Sequence, residues 1–146
     1  MPEAPLDPSA ENLRRRVAVL RQGLVRLHKA LVDSERVTYE RVHGRVASSG
    51  ELLQAVIHDH WFAWLRPLSE LVIRMDELLE AEQPPPADEL RSALDQARAL
   101  LTPSEEGPAA PVPTFGTQYW DVLQRDPAVV LVHAQVSRLL TTGPVA

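Results

Sequence analysis

Five side chains in this sequence are of types that bind metal ions or exchange protons in helical proteins. They are Glu35, Tyr39, His58, His28 and His133. Carboxylate and imidazole groups are suitable ligands for iron, manganese or zinc. The 146-residue sequence contains no cysteine, so a thiolate ligand, a cysteine nucleophile and a disulfide are excluded. Any metal chemistry must therefore use histidine and oxygen ligands.

These residues fall near the apolar faces of predicted helices. At 100° per residue, His28, Glu35 and Tyr39 lie within about 40° of one another, beside or within the apolar stripe of the first helix. His58 lies along the margin of the stripe on the second helix. If the two helices form an antiparallel hairpin, Glu35 is roughly level with His58. His133 on the last helix could complete the cluster.

Two interpretations of this cluster remain open. The first is a metal or cofactor site between helices 1 and 2, which bundle cores can hold. The second is that Glu35 and His58 satisfy each other or nearby backbone groups, because a buried charge needs a partner. The repeated Glu-x-x-His motif of di-iron proteins is absent, which favours the second interpretation. His58 and His60 point about 200° apart on a helix and cannot share one ion. We therefore expect no cofactor, with iron, manganese or zinc as the alternative.

The elements that position these side chains are predicted from apolar spacing and end signals. The first helix spans about 10–43 and stops at Gly44, a residue suited to the left-handed turn that ends helices. Ser48 and Glu51 form a capping-box signature for a second helix, which ends before the proline run at 84–86. Pro67 lies inside this second helix and predicts a kink near 63–67 and not a break, because the apolar stripe keeps its phase.

The sequence after the proline run predicts three more helices. The whole chain, 1–146, is expected to form a single all-α domain. The three helices span about 88–101, 115–124 and 127–141, and Asp126 with Pro127 supplies a cap and first turn for the last one. The β-branched run 128–133 would also suit a strand. We expect an antiparallel bundle of about four main helices. Residues 1–8 and 102–114 are predicted to be flexible.

Aromatic residues concentrate in one turn of the second helix, where Trp61, Phe62 and Trp64 follow one another closely. Trp61 lies on the core stripe. Phe62 and Trp64 diverge from it by roughly 100° and 60°, so each must contact another helix or remain exposed as an interface anchor. Phe62 and Trp64 are therefore the interface candidates, and a symmetric dimer would bury surplus apolar surface.

The net charge and the hydropathy of the sequence restrict the classes of partner that we expect. The formal net charge is −5, which disfavours nucleic acid as a partner. The run Arg14, Arg15 and Arg16 spreads around its helix and is interpreted as a solvated surface. Asp76 is predicted to form an ion pair with Arg14 or Arg21. No apolar run approaches the roughly 20 residues of a membrane helix, so we expect no membrane association and a cytoplasmic protein.

The segment HDHWFAWLRPLSELVIRMDELL, residues 58–79, resembles a block in an uncharacterised family of small bacterial helical proteins. The resemblance covers about one helix and implies a bacterial all-α protein, without an activity, cofactor or catalytic residue. No phosphate-binding glycine loop or nucleophile elbow is present, which argues against an enzyme. The expected function is non-catalytic protein–protein association, as a homodimer or with a protein partner. The alternative is the metal- or cofactor-binding bundle.

Overall fold

The computed structural model describes residues 8–104 and 114–141, and these residues contain α-helices, one 3₁₀ segment and no β-strand. The elements are α1 (Pro8–His43), α2 (Ser49–His58), the 3₁₀ segment (His60–Leu65), α3 (Arg66–Glu80), α4 (Ala87–Leu100), α5 (Phe115–Arg125) and α6 (Pro127–Thr141). The all-α class is confirmed for this part of the chain. Most of the two segments predicted to be flexible, 1–8 and 102–114, lies outside the described residues.

The apolar stripe of α1 forms the centre of the core. Its six predicted members, each at most 7% exposed, are Leu13, Val17, Leu20, Leu24, Leu27 and Leu31. Burying one leucine side chain contributes about 1.5–3 kcal/mol, so this stripe supplies a large part of the stability. Helices α3, α4 and α6 and the 3₁₀ segment all pack against α1.

Polar links fix the direction of α3 relative to α1. Arg21 forms an ion pair with Asp76, as predicted, and His28 Nε2 lies 2.9 Å from Ser69 Oγ. Residue numbers rise along α1 as those of its partners fall, so the two helices run antiparallel. Helix α6 approaches α1 closely at Gly23, where a Cβ atom would lie 3.2 Å from the Leu139 side chain.

The second predicted helix is broken at Asp59, so the prediction of a kink without a break is wrong. Asp59 has extended backbone angles, φ −86° and ψ 135°, and its Oδ1 accepts a hydrogen bond of 2.9 Å from the backbone N–H of Trp61. This local side-chain bond competes with the helical ladder. Pro67 lies in the first turn of α3, where its missing N–H would have no helical partner.

The predicted helix ends are confirmed at three places. Gly44, with φ +88°, follows α1. Ser48 Oγ accepts from the N–H of Glu51 at 3.1 Å, which begins α2. Asp126 Oδ1 accepts from the N–H of Ala128 at 3.0 Å, and Pro127 opens α6. The run 128–133 is therefore helical and not a strand.

Replacing Gly44 by alanine should lower the free energy of unfolding by about 1 kcal/mol, because a Cβ disfavours the left-handed backbone region. Gly50→Ala is the matched control: Gly50 is helical, and an added Cβ would lie 3.8 Å from Ser48 Oγ, an ordinary contact. Urea unfolding of both variants measures the difference. Equal effects of the two substitutions would contradict the backbone argument.

Candidate functional site

The buried carboxylate of Glu35 is paired with a cation on another helix. Glu35 is 6% exposed, and its Oε1 accepts a hydrogen bond of 2.6 Å from Nη2 of Arg125 on α5. Arg125 also donates to Thr38 Oγ1 at 3.1 Å and to Asp121 Oδ2 at 3.3 Å. The predicted Glu35–His58 pairing is therefore wrong, because Arg125 supplies the partner. This network ties α1 to α5.

A groove of about 530 Å³ opens beside this network, between α1, the 3₁₀ segment and α5. We call it the aromatic groove. Its lining residues are Glu35, Thr38, Arg41, His60, Trp61, Trp64, Gln118, Asp121 and Arg125. The charges of Glu35 and Asp121 are engaged by Arg125. Arg41 is exposed and forms no ion pair within the part of the chain that the structure describes. The groove thus presents two indole rings and one uncommitted cation.

Tyr39 joins α1 to the break after α2. Its hydroxyl donates to Asp59 Oδ2 at 3.2 Å, and its ring lies 5.9 Å from Trp61 and 5.4 Å from Phe62, measured between centroids. Desolvation, followed by the hydrogen bond to Asp59 and that residue's charge, raises the pKa of Tyr39. The phenol therefore stays protonated and acts as a donor. This arrangement gives Tyr39 a positioning role near the aromatic groove.

His28 and His133 lie in two different places. His28 bonds to Ser69 between α1 and α3. Nδ1 of His133 is 2.5 Å from the hydroxyl of Tyr119, and its Nε2 is 3.4 Å from Ser137 Oγ. Burial lowers the pKa of both histidines and raises the pKa of Tyr119. Neutral imidazoles in these positions link helices by hydrogen bonding.

His58 is exposed at the last turn of α2. The five predicted metal-ligand candidates are thus not brought together, since Glu35, Tyr39, His28 and His133 each have a different partner. Within 8–104 and 114–141, no group of three or more His, Asp or Glu side chains is arranged to hold a metal ion. The geometry gives the metal interpretation no support.

The two interface candidates have different surroundings. Phe62 is 1% exposed and belongs to the core, so it is not available as an exposed anchor. Its ring contacts that of Tyr39 on α1, and the 3₁₀ segment that carries it packs against both α1 and α3. Trp64 is partly buried, with its ring 5.3 Å from that of Phe115, and it lines the aromatic groove.

One face of helix α2 exposes apolar side chains on which no described residue packs closely. None of its ten residues is buried, and Leu53 and Ile57 are 57% and 51% exposed. Gly50, Leu53, Gln54 and Ile57 follow the i, i+3, i+4, i+7 spacing of one helix face, and all four are exposed. We call these four residues the α2 face. It carries no charge.

Sequence reasoning missed Arg125, Asp121 and Asp59. A buried carboxylate requires a partner, but fifteen lysine and arginine residues could supply one. Asp59 did carry a signal, because aspartate readily bonds to the backbone two residues later. That signal competed with the uninterrupted apolar stripe, which favoured one continuous helix.

Comparison with known proteins gave no family match, and neither the curated proteins nor the solved structures contained a similar chain. None of the described helices has the length and apolar character needed to cross a bilayer. The aromatic groove and the α2 face are the two surfaces whose geometry bears on function.

Replacing Arg125 by alanine should lower the free energy of unfolding by about 2 kcal/mol, because it leaves the buried Glu35 carboxylate without its cation. Arg91→Ala removes an exposed pairing with Asp88 and should cost less than about 0.5 kcal/mol. Chemical denaturation of both variants tests this. The double variant Glu35→Gln, Arg125→Ala should recover part of the loss, and a fully additive loss would refute the coupling.

The neutral histidines predict a pH-dependent stability. Their pKa values are lowered in the folded protein from 6.5, so the unfolded chain binds their protons more readily. Stability should be full above about pH 6.5 and fall as the pH drops through the folded pKa. Urea unfolding at about pH 7.5 and 5.5 measures this loss. His28→Gln with His133→Gln should reduce it, whereas His58→Gln serves as the exposed control; an undiminished loss in the double variant would count against the assignment.

Proposed function

We propose that this chain functions by protein association, with the α2 face as the contact surface and a second copy of the chain as the partner. The observation that carries the proposal is that α2 buries none of its ten residues while exposing Leu53 and Ile57. Isolated helices of this length are marginal in water, and they gain stability mainly by packing an apolar face.

The energetics support docking of α2. Leu53 and Ile57 are 57% and 51% exposed, so burying the remaining surface would contribute about 1–1.5 kcal/mol for each side chain, roughly half the value for a fully exposed one. Within the described chain, α2 packs mainly on the 3₁₀ segment, which leaves the opposite side of the helix open. The spacing of the α2 face is that of residues which interlock between two packed helices.

A second copy is favoured over a charged partner by the composition of the α2 face. Gly50, Leu53, Gln54 and Ile57 are all uncharged, so two such faces can meet without like-charge repulsion. A twofold contact repeats the same patch on both chains. In this proposal the four main helical units, α1, α2–α3, α4 and α6, form an antiparallel bundle that presents α2 at its surface.

The aromatic groove supplies a further reason to propose association. Tryptophan and arginine dominate the energetics of many interfaces, and Trp61, Trp64 and Arg41 line this groove together. The carboxylates of the groove are engaged by Arg125, which leaves them poorly placed for proton transfer or metal binding. These features favour binding over catalysis.

The metal- or cofactor-binding alternative has a direct test in elemental analysis and an absorption spectrum of untagged protein. Stoichiometric iron, manganese or zinc that is lost in Glu35→Ala or His58→Ala would favour that alternative over association. Arg91→Ala, which alters an exposed ion pair on α4, is a suitable control for nonspecific loss.

Light scattering coupled to size-exclusion chromatography should give a mass about twice the 16.2 kDa of one chain. Leu53→Glu and Ile57→Glu should each weaken dimerisation at least about tenfold, because burying an unpaired carboxylate costs more than 1.4 kcal/mol. Leu131→Glu is the control, since Leu131 is 67% exposed on α6. A monomeric wild-type chain at high concentration, or dissociation by Leu131→Glu alone, would rule out the α2 contact.

A further inference from the structure

The arginine run at the start of α1 is not uniformly solvated, contrary to the sequence interpretation. Arg14 donates to the backbone oxygen of Leu79 at 2.8 Å, and Arg15 is exposed. Arg16 differs from both, because its Nε and Nη2 atoms are buried and have no hydrogen-bond acceptor in the part of the chain that the structure describes. Buried cations in proteins are normally paired, so this guanidinium calls for an explanation.

The two unpaired atoms belong to one edge of the guanidinium group. The N–H bonds of Nε and Nη2 point the same way, and this edge can grip two oxygens of one carboxylate or phosphate. Nη1 is not among the buried nitrogens that lack a partner. The unsatisfied part of Arg16 therefore has the shape of an oxyanion clamp.

The local charge is positive. Desolvation, followed by the nearby charge of Arg98, lowers the pKa of Arg16. Arg98 is itself compensated, since it donates to Asp95 Oδ1 at 2.9 Å and to the oxygen of Leu140 at 3.1 Å. Arg15 and Arg16 form no ion pair with any described residue, and this includes Glu11 one turn earlier. Two positive charges thus remain uncompensated.

A pocket of about 230 Å³ adjoins these charges, and we call it the Arg16 pocket. It is lined by Arg15, Arg16, Val19 and Leu139. Its apolar walls reduce the local dielectric and strengthen an ionic contact. We propose that the Arg16 pocket binds a phosphate group, held by the Nε–Nη2 edge of Arg16 and neutralised jointly by Arg15.

The charge balance favours phosphate over carboxylate. A phosphate monoester carries nearly two negative charges at neutral pH, which matches the two uncompensated arginines, whereas a carboxylate carries one. Arg16 is only partly buried as a residue and forms a wall of the pocket. Nε and Nη2 are buried in the unliganded protein, so the proposed binding requires the Arg16 side chain to change rotamer and turn this edge toward the pocket. The site is independent of the association proposed for α2.

The test is thermal unfolding of the full chain in sodium phosphate, with sodium chloride of matched ionic strength as the reference. Phosphate should raise Tm by several degrees and saturate, because a ligand stabilises only the folded state it binds. Arg16→Met should abolish this shift. Arg26→Met, which removes an exposed arginine on the same helix, should leave the shift intact.

A second variant separates binding from folding. Arg16→Lys keeps the charge but lacks the two-pronged edge, so it should fold and lose most of the phosphate shift. In chloride, Arg16→Met should raise Tm by about 2–4 °C, because it removes two buried nitrogen donors that lack an acceptor among the described residues. Glycerol phosphate as a parallel probe distinguishes the sources: a stronger response than to inorganic phosphate indicates a phosphate ester, and an equal response indicates the free ion.

Three outcomes would overturn the proposal. One is an equal phosphate shift in wild type and Arg16→Met, which would reflect general anion effects. Another is a lower Tm of Arg16→Met in chloride, which would mean that Arg16 is satisfied within the chain. The third is an acetate response as large as the phosphate response at matched ionic strength, which would remove the argument from charge balance.

Discussion

Burial of the apolar stripe along α1 is the constraint on which the other elements depend. Helices α3, α4 and α6 and the 3₁₀ segment all pack against this 36-residue helix. Because the stripe excludes water along most of its length, the polar residues of α1 lie at its margins. Three of these residues have partners on neighbouring helices. Arg21 and His28 bond to α3 at two different levels, and Glu35 forms an ion pair with α5.

This placement explains why the inward polar residues do not assemble into one site. A polar group at the edge of a core needs a partner at its own level, and the nearest neighbouring helix provides it. The hydrogen-bond partners are Ser69 for His28, Asp59 for Tyr39 and Arg125 for Glu35. Each bond fixes a helix register, and each one removes a potential ligand from a shared centre. Within the described residues, cationic groups without an ion-pair partner remain at the exposed Arg41 and at the buried edge of Arg16.

The helices were largely predictable because their signals are local. The cap at Ser48, the Asp126–Pro127 start and the left-handed Gly44 each act within a few residues. The partners of the site were not predictable in the same way. Arg125 reaches Glu35 across ninety positions, and its approach depends on the rotation of α5, which apolar spacing alone leaves undetermined. The prediction of a continuous helix through Asp59 failed for another reason. The hydrogen bond from the Trp61 N–H to the Asp59 side chain outweighed an apolar stripe that kept its helical phase.

Helix α1 also separates the aromatic groove from the proposed phosphate site. Arg16 and Arg41 are twenty-five residues apart, which at 1.5 Å per residue places them about 37 Å apart along the helix. Arg41 lines the aromatic groove and Arg16 lines its own pocket. Coupling over this distance requires an element with two discrete arrangements, and the stripe of α1 is closely packed from Leu13 to Leu31. The proposed phosphate site and the aromatic groove therefore lie on separate surfaces, and binding at one is not expected to depend on binding at the other.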